Sequence, residues 1–253
     1  MIEKKIASCR LMAAFALSLA ASFAWAAEYP AVLDWSGRVV LTLPVSGVLA
    51  SVSGQAGQAV KKGELLASLE PTLFKASVAE ARADMDRLAE EHADAQRDLD
   101  RVRELYARTV ASTTELDAAK LRFARANAGL AAAQARVERT RRLLAESELH
   151  APFDALILSR QGEPGLVIAS QCAPTAVFTV ARADELVARS SIDAAQAARV
   201  VLGGVVEVSV ADANLKGRVQ AVSLGAERRY TLEVALPRSA NMYAGQSASI
   251  RLP

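Results

Sequence analysis

The longest unbroken pattern in the chain runs from Thr72 to His150, where there is no proline and the only glycine is Gly129. Apolar or small residues recur at Phe74, Val78, Ala81, Met85, Leu88, His92, Ala95, Leu99, Val102 and Tyr106, in alternating steps of four and three. A second series repeats the rhythm at Leu116, Ala119, Phe123, Ala126, Leu130, Ala133, Val137, Thr140 and Leu144. A sustained heptad spacing marks helices that pack along a seam. The rhythm breaks only within Arg101–Asp117, RVRELYARTVASTTELD. The pattern therefore predicts two helices of about 35 residues folded back on each other, a rod of roughly 50 Å at 1.5 Å rise per residue. Alanine at many seam positions lets the helices approach closely. The outer faces carry opposite charges at helical spacing, such as Arg82 with Asp86 and Asp94 with Arg97.

The flanks read differently. Residues 38–71 contain short β-rich runs separated by glycine turns: VVLTL, GVLASV and GQAVKKGELLASL. Residues 149–182, LHAPFDALILSRQGEPGLVIASQCAPTAVFTVAR, return to the same character. The helical segment thus interrupts a small β domain, leaving at Glu70-Pro71 and returning at His150-Ala151-Pro152. Such an insertion is tolerated when its two ends lie side by side. Residues 183–253 hold the strand-like runs ELVARSSI, VVEVSV, GRVQAVSL, YTLEVAL and SASIRL, with one helical stretch, DAAQAARV. They predict a small β-barrel. The fold class is α+β, and residues 27–37 are left as an N-terminal segment.

Residues 1–26 read as a secretory signal peptide: a basic start, the apolar run Leu11–Ala26, then Ala24-Trp25-Ala26 as a small-x-small cleavage pattern. The apolar run is short for a membrane span, which needs about 20 residues. An uncleaved inner-membrane anchor is the alternative. Cys9 precedes the apolar run and is badly placed for lipid attachment. Removing this leader takes away Glu3, Lys4, Lys5 and Arg10, leaving 27 of the 30 basic and 27 of the 28 acidic residues. A formally neutral chain argues against nucleic acid as a partner. One cysteine, Cys172, remains, so no internal disulfide can form, and it reads as a small apolar filler.

Chemistry-bearing motifs are sparse. The two histidines, His92 on the seam and His150 at the far end of the second helix, belong to no cluster with metal-ligand spacing. Met85 and Met242 are too few for a methionine copper site. No nucleophile–base pair or phosphate loop is present, so neither an enzyme nor a bound cofactor or metal is expected. A carrier of biotin or lipoate would need a lysine displayed on a tight turn between the two β halves. The helical segment fills that place, and Lys61 and Lys62 precede Gly63 instead.

The stretches SGVLASVSGQAGQAVKKGELLASLE and LHAPFDALILSRQGEPGLVIASQ resemble the two halves of a split lipoyl-type domain. Half-lipoyl domain, long antiparallel coiled-coil α-hairpin, half-lipoyl domain and β-barrel, in that order, resemble the periplasmic adaptors of bacterial tripartite efflux pumps, also called membrane fusion proteins of the HlyD type. The resemblance covers about residues 31–253. It implies a non-catalytic periplasmic protein that links an inner-membrane transporter to an outer-membrane channel of the TolC type, as a hexamer in the complex. The transporter would be of the resistance-nodulation-division (RND) type, given the moderate hairpin. An ATP-driven ABC exporter is the alternative, because GLVIASQCAP resembles the lipoyl region of adaptors serving such pumps. The small lipoyl and barrel domains imply weak self-association in isolation and a stable ring only with partners. The family's frequent membrane-proximal domain is expected to be absent or vestigial, since only Glu28–Gly37 precede the first lipoyl strand.

The resemblance also gives the break in the heptads a role. The family's tip pattern is Arg, three residues, Leu, six residues, Ser, and Arg101-VRE-Leu105-YARTVA-Ser112 matches it in full. It implies that Arg101, Leu105 and Ser112 dock on the channel: Leu105 in a groove, Arg101 as a multi-donor fork, Ser112 on main-chain groups. The same residues have a plainer reading. Ser112 and Glu115 form a capping-box pattern, Leu105 closes the hairpin end, and Arg101 is a solvated charge.

Overall fold

The computed structural model describes residues 28–169, 174–211, 213–225, 228–239 and 241–252; the leader and Cys172 lie outside them. The described residues form two compact units, one of residues 37–183 and one built from Ser36 and the residues before it together with Asp184 onward.

In the first unit, two four-stranded sheets face each other. β2 (Val39–Leu41), β3 (Gly47–Val52), β4 (Ala59–Val60) and β5 (Leu65–Leu69) come from before the helices. β6 (Glu148–His150), β7 (Ala155–Arg160), β8 (Val167–Ile168) and β9 (Phe178–Arg182) come from after them. The sheet orders are β2-β9-β7-β4 and β6-β5-β3-β8, so each sheet interleaves strands from both halves. Neither half can satisfy its own backbone donors and acceptors alone, which ties the split domain together. Leu49, Leu66, Leu69, Ile157, Ile168 and Phe178 fill the space between the sheets and are fully buried. Gly162 sits where a Cβ would come within 2.6 Å of Val177 Cγ1, so this position has no room for a side chain.

The helices leave and return through one strand pair. β5 and β6 are antiparallel neighbours with Leu65 opposite His150 and Ser68 opposite Glu148. The Leu69 N–H donates to the Ser147 carbonyl at 2.9 Å. Between them run α1 (Thr72–Ala107, 36 residues) and α2 (Thr113–Glu146, 34 residues). They are antiparallel: Asp84 faces Arg136, His92 faces Phe123 and Asp98 faces Arg122. Above the sandwich, where Phe74 and Leu143 pack on its core, each helix packs against the other, and only part of the seam is fully covered: Val78, Ala81 and Leu99 on α1, and Ala119, Ala133 and Val137 on α2. Tyr106, which the heptad count puts on the seam, is 40% exposed, because no facing turn of α2 lies beyond the hairpin end.

The second unit is a closed six-stranded barrel in the order β1-β10-β13-β12-β11-β14. Five strands come from the C-terminal region: β10 (Glu185–Ile192), β11 (Val205–Val210), β12 (Ala213–Leu224), β13 (Tyr230–Pro237) and β14 (Ser247–Arg251). The sixth is β1 (Glu28–Trp35), which corrects the reading of residues 27–37 as a separate segment. β1 closes the barrel between β10 and β14, with Ala31 opposite both Ser190 and Ala248. Its side chains alternate as a barrel strand requires, Ala31 and Leu33 inward and Val32 outward. The helical stretch DAAQAARV contracts to one turn, α3 (Ala194–Ala197), capped by Asp193.

Candidate functional site

The hairpin end is built from three local devices. The first closes α1. Arg108 N–H donates to the Glu104 carbonyl at 3.2 Å and Thr109 N–H to the Tyr106 carbonyl at 2.9 Å. Thr109 then takes φ = +58°, the left-handed conformation that ends helices. A β-branched residue is disfavoured there, so the turn is held by its surroundings. The Leu105 carbonyl accepts the N–H groups of Val110 at 2.9 Å and Ala111 at 3.3 Å, folding the turn around Leu105.

The second device starts α2. Ser112 is the N-cap: its hydroxyl accepts the Glu115 N–H at 3.2 Å, and its own N–H donates to Glu115 Oε2 at 2.7 Å. The hydroxyl also donates a hydrogen bond to that carboxylate at 3.0 Å. A hydroxyl has one donor and two lone pairs, so what Ser112 can still offer a partner is one acceptor site. The Ser112 N–H, and secondly its hydroxyl, hold the Glu115 carboxyl below its ordinary pKa. A depressed carboxyl stabilises the fold fully above its unfolded value and loses that contribution as pH falls through the folded value. Ser112→Ala removes the N-cap hydroxyl and should weaken the first turn of α2 by about 0.5–2 kcal/mol, read as a roughly 2- to 30-fold drop in amide-exchange protection. The backbone N–H at position 112 bonds Glu115 in both proteins, so only the hydroxyl–carboxylate bond makes the gap between them narrow at acidic pH, and a gap independent of pH would deny that bond a part in the cap.

The third device orients Arg101. Its Nη2 pairs with Asp98 one turn earlier on α1, and the other oxygen of Asp98 meets Arg122 Nη2 on α2 at 3.1 Å. Asp98 is well covered, with 20% of its side chain exposed. One carboxylate thus joins the two helices and steadies the Arg101 guanidinium.

Arg101 and Leu105 lie four residues apart on one helical face, and Ser112 lies across the turn. Arg101 is six residues before the end of α1, roughly 9 Å at 1.5 Å per residue. The three residues form a strip along the hairpin end rather than a cluster. The turn also displays apolar residues that the tip pattern does not include: Val110 is 71% exposed and Tyr106 40%, beside Leu105 at 37%. Val110 stands out in the sequence too, as an apolar residue inside a five-residue loop.

The remaining candidates have structural partners. His92 packs on Phe123 with ring centroids 5.1 Å apart. His150 Nδ1 lies 3.0 Å from the Gly63 carbonyl and Nε2 lies 3.2 Å from Glu148. Lys61 Nζ pairs with Asp154 at 3.0 Å and the Lys62 N–H donates to the same carboxylate at 2.9 Å. Those bonds, the Lys62 N–H first and the Lys61 side chain second, hold Asp154 below its ordinary pKa. Among the described residues no three His, Cys, Asp or Glu side chains gather as a metal site, and no helix is long and apolar enough to cross a membrane.

A β-sandwich split by a pair of long antiparallel helices and joined to a six-stranded barrel is a narrow class of architecture. The profile of the CzcB-like barrel-sandwich hybrid domain matches residues 38–182, more than half of the chain. The chain belongs to this family, that of the periplasmic adaptors or membrane fusion proteins. It is similar to multidrug resistance protein MdtA of Cronobacter turicensis, with 30% identity over 160 residues, 59% of this chain and 39% of that protein. The match thus spans about two-fifths of that relative's length. The fold is shared with a MacA–MexA chimera carrying the α-hairpin of Pseudomonas aeruginosa MexA, at TM-score 0.67 and 20% identity over 90% of this chain and 81% of the other. A membrane fusion protein of Streptococcus pneumoniae is similar at TM-score 0.63 and 13% identity, over 90% and 98% of the two chains.

Proposed function

We propose that the protein is a non-catalytic periplasmic adaptor of an efflux system, in which the two helices form a coiled-coil hairpin that docks on an outer-membrane channel. The observation that carries this reading is the exposed apolar tip, Leu105, Tyr106 and Val110, on a turn fixed by backbone hydrogen bonds and flanked by Arg101 and Ser112. A solvated turn gains nothing from three exposed apolar side chains, whereas a groove between channel helices would cover them. In this reading Leu105 is the anchor, Arg101 presents the donors that Asp98 leaves free, and Ser112 serves chiefly as a cap. The inner-membrane partner is a proton-driven RND transporter. An ATP-driven exporter is the second reading, supported by the likeness of the stretch GLVIASQCAP to adaptors that serve such pumps. Hexameric assembly, export by the N-terminal leader and attachment to the inner membrane through the transporter belong to the same proposal.

The test is photocrosslinking in cells from position 105, with Leu130 on the mid-hairpin seam as control. An adduct with an outer-membrane channel from position 105 alone is the expected result. No adduct from position 105, in cells where the protein is abundant and periplasmic, would reduce the tip to a capped turn.

A further inference from the structure

The barrel carries a second exposed apolar feature that hairpin docking does not use. At the start of β11, Val201, Leu202 and Val205 are 73%, 66% and 62% exposed. Their turn is closed by backbone hydrogen bonds. Gly204 N–H donates to the Val201 carbonyl at 3.0 Å, Gly203 N–H to the Val219 carbonyl at 2.9 Å, and Val219 N–H to the Gly204 carbonyl at 2.9 Å. Gly203 takes φ = +79°, which lets the chain reverse here. Two adjacent aliphatic side chains held outward on a turn are unusual, because turns ordinarily carry polar residues.

The charges around the turn are basic. Arg199 and Arg218 are exposed, and Arg218 stands directly opposite Val205 in the β11–β12 ladder. Of the acidic groups described at this end, Glu28 and Glu207 both pair with Arg251, at 2.5 and 3.2 Å, and Asp193 caps α3. The same pairing fixes where the chain enters. Glu28 at the start of β1 is opposite Arg251, which is opposite Glu207 on β11. Glu28 is therefore two strands from Glu207, about 10 Å at the usual strand spacing, and Val205 lies two residues, about 7 Å, further along β11 at the same end of the barrel. If the leader is retained, the alternative to its cleavage, the apolar run Leu11–Ala26 precedes β1 by one residue in the sequence, and β1 starts at this end of the barrel.

We infer that this end of the barrel is a membrane-docking surface: Val201, Leu202 and Val205 enter the headgroup–acyl boundary while Arg199 and Arg218 meet anionic phospholipid headgroups. Short apolar projections ringed by arginine bind such interfaces by combining buried apolar area with attraction to the anionic surface. The inference takes the export reading above as its setting but is independent of hairpin docking. Lipid binding is measured without transporter or channel, so its failure leaves the adaptor reading standing.

The experiment uses the full chain with a fluorescent amino acid at position 202, or at the solvent-facing Val40 as control. Vesicles of phosphatidylethanolamine with about one-quarter phosphatidylglycerol carry bromine on their acyl chains, which quenches a probe only at the boundary. The expected result is quenching at 202 and none at 40, weakened at least about tenfold in apparent vesicle affinity by Arg199→Gln with Arg218→Gln, and lost in uncharged vesicles. Val201→Ser in the same chain should weaken it without altering the melting temperature, since the side chain is already outside the core. Co-flotation without quenching at 202 would mean that the leader alone holds the membrane, and it would overturn the inference. So would quenching equal at both positions, no binding at all, or an adduct from position 202 in cells to a protein and not to lipid.

Discussion

Replacing Phe178 by Ala will lower the stability of the unit formed by residues 37–183 by about 3–5 kcal/mol. Phe178 is fully buried and opens β9, which lies between β2 and β7. Its cross-strand partners are Leu41 on one side and Arg160 on the other. β2 comes from before the helices and β7 from after them, so the ring fills space at the place where the two halves of the sandwich are joined. Domains of this size hold about 5–15 kcal/mol in all, so the loss takes a large share of the total. Because β5 and β6 clamp the helix ends, the helices should lose their anchorage with the sandwich. Urea unfolding followed by helical circular dichroism will therefore show a lower midpoint. Leu73→Ala, at a residue 78% exposed, will shift stability by less than about 0.5 kcal/mol. A loss below about 1 kcal/mol for Phe178→Ala would show that neighbouring side chains collapse into the cavity, and that the join between the halves rests elsewhere.

The helices and the β-rich flanks are legible in the sequence because each follows a short-range rule. Heptad steps and the lack of proline decide α1 and α2, and glycine-punctuated β-rich runs decide the sandwich strands. β1 is not legible by such rules. Pro30 argues against an interior strand, and the residues that make Glu28–Trp35 a strand lie more than 150 positions away on β10 and β14. Only the closed ring shows why proline is accepted: Ser190 Oγ donates to the Pro30 carbonyl at 2.8 Å, adding a bond beside a position that has no N–H to give. At the hairpin end, Arg101, Leu105 and Ser112 become candidates through the family's tip pattern, not through periodicity. The capping box is readable from Ser112 and Glu115 alone. The bridge from Asp98 to both Arg101 and Arg122 depends on how the two helices align, and the five-residue turn sets that alignment. Periodicity also misassigns Tyr106, because a seam position is buried only where a facing helix exists.

Leu105→Asp will abolish recovery of an outer-membrane channel with the protein, on the docking reading, while leaving the fold unchanged. The side chain is 37% exposed and packs on no described core cluster, so removing it leaves little cavity. Its turn is held through the backbone carbonyl, which accepts from Val110 and Ala111 whatever the side chain. Covering the 37% of Leu105 that is still exposed is worth about 0.5–1 kcal/mol, roughly a third of a full leucine burial. A carboxylate in the same groove loses that gain and adds an unpaired charge away from water. Together these exceed the 2.7 kcal/mol or so that separates a hundredfold change in affinity. Arg101→Ala should have a smaller effect, since its guanidinium already shares Asp98 with Arg122 and part of its capacity is used within the hairpin. Ser112→Ala should act mainly through the cap, so its effect on docking should track the loss of exchange protection in α2. The order Leu105, then Arg101, then Ser112 in loss of channel recovery, with α2 protection lowered chiefly by Ser112→Ala, distinguishes docking from a structural tip, in which channel recovery would follow the loss of protection in all three variants. If channel recovery from Leu105→Asp cells equals the unaltered protein at matched abundance, the apolar tip does not meet the channel.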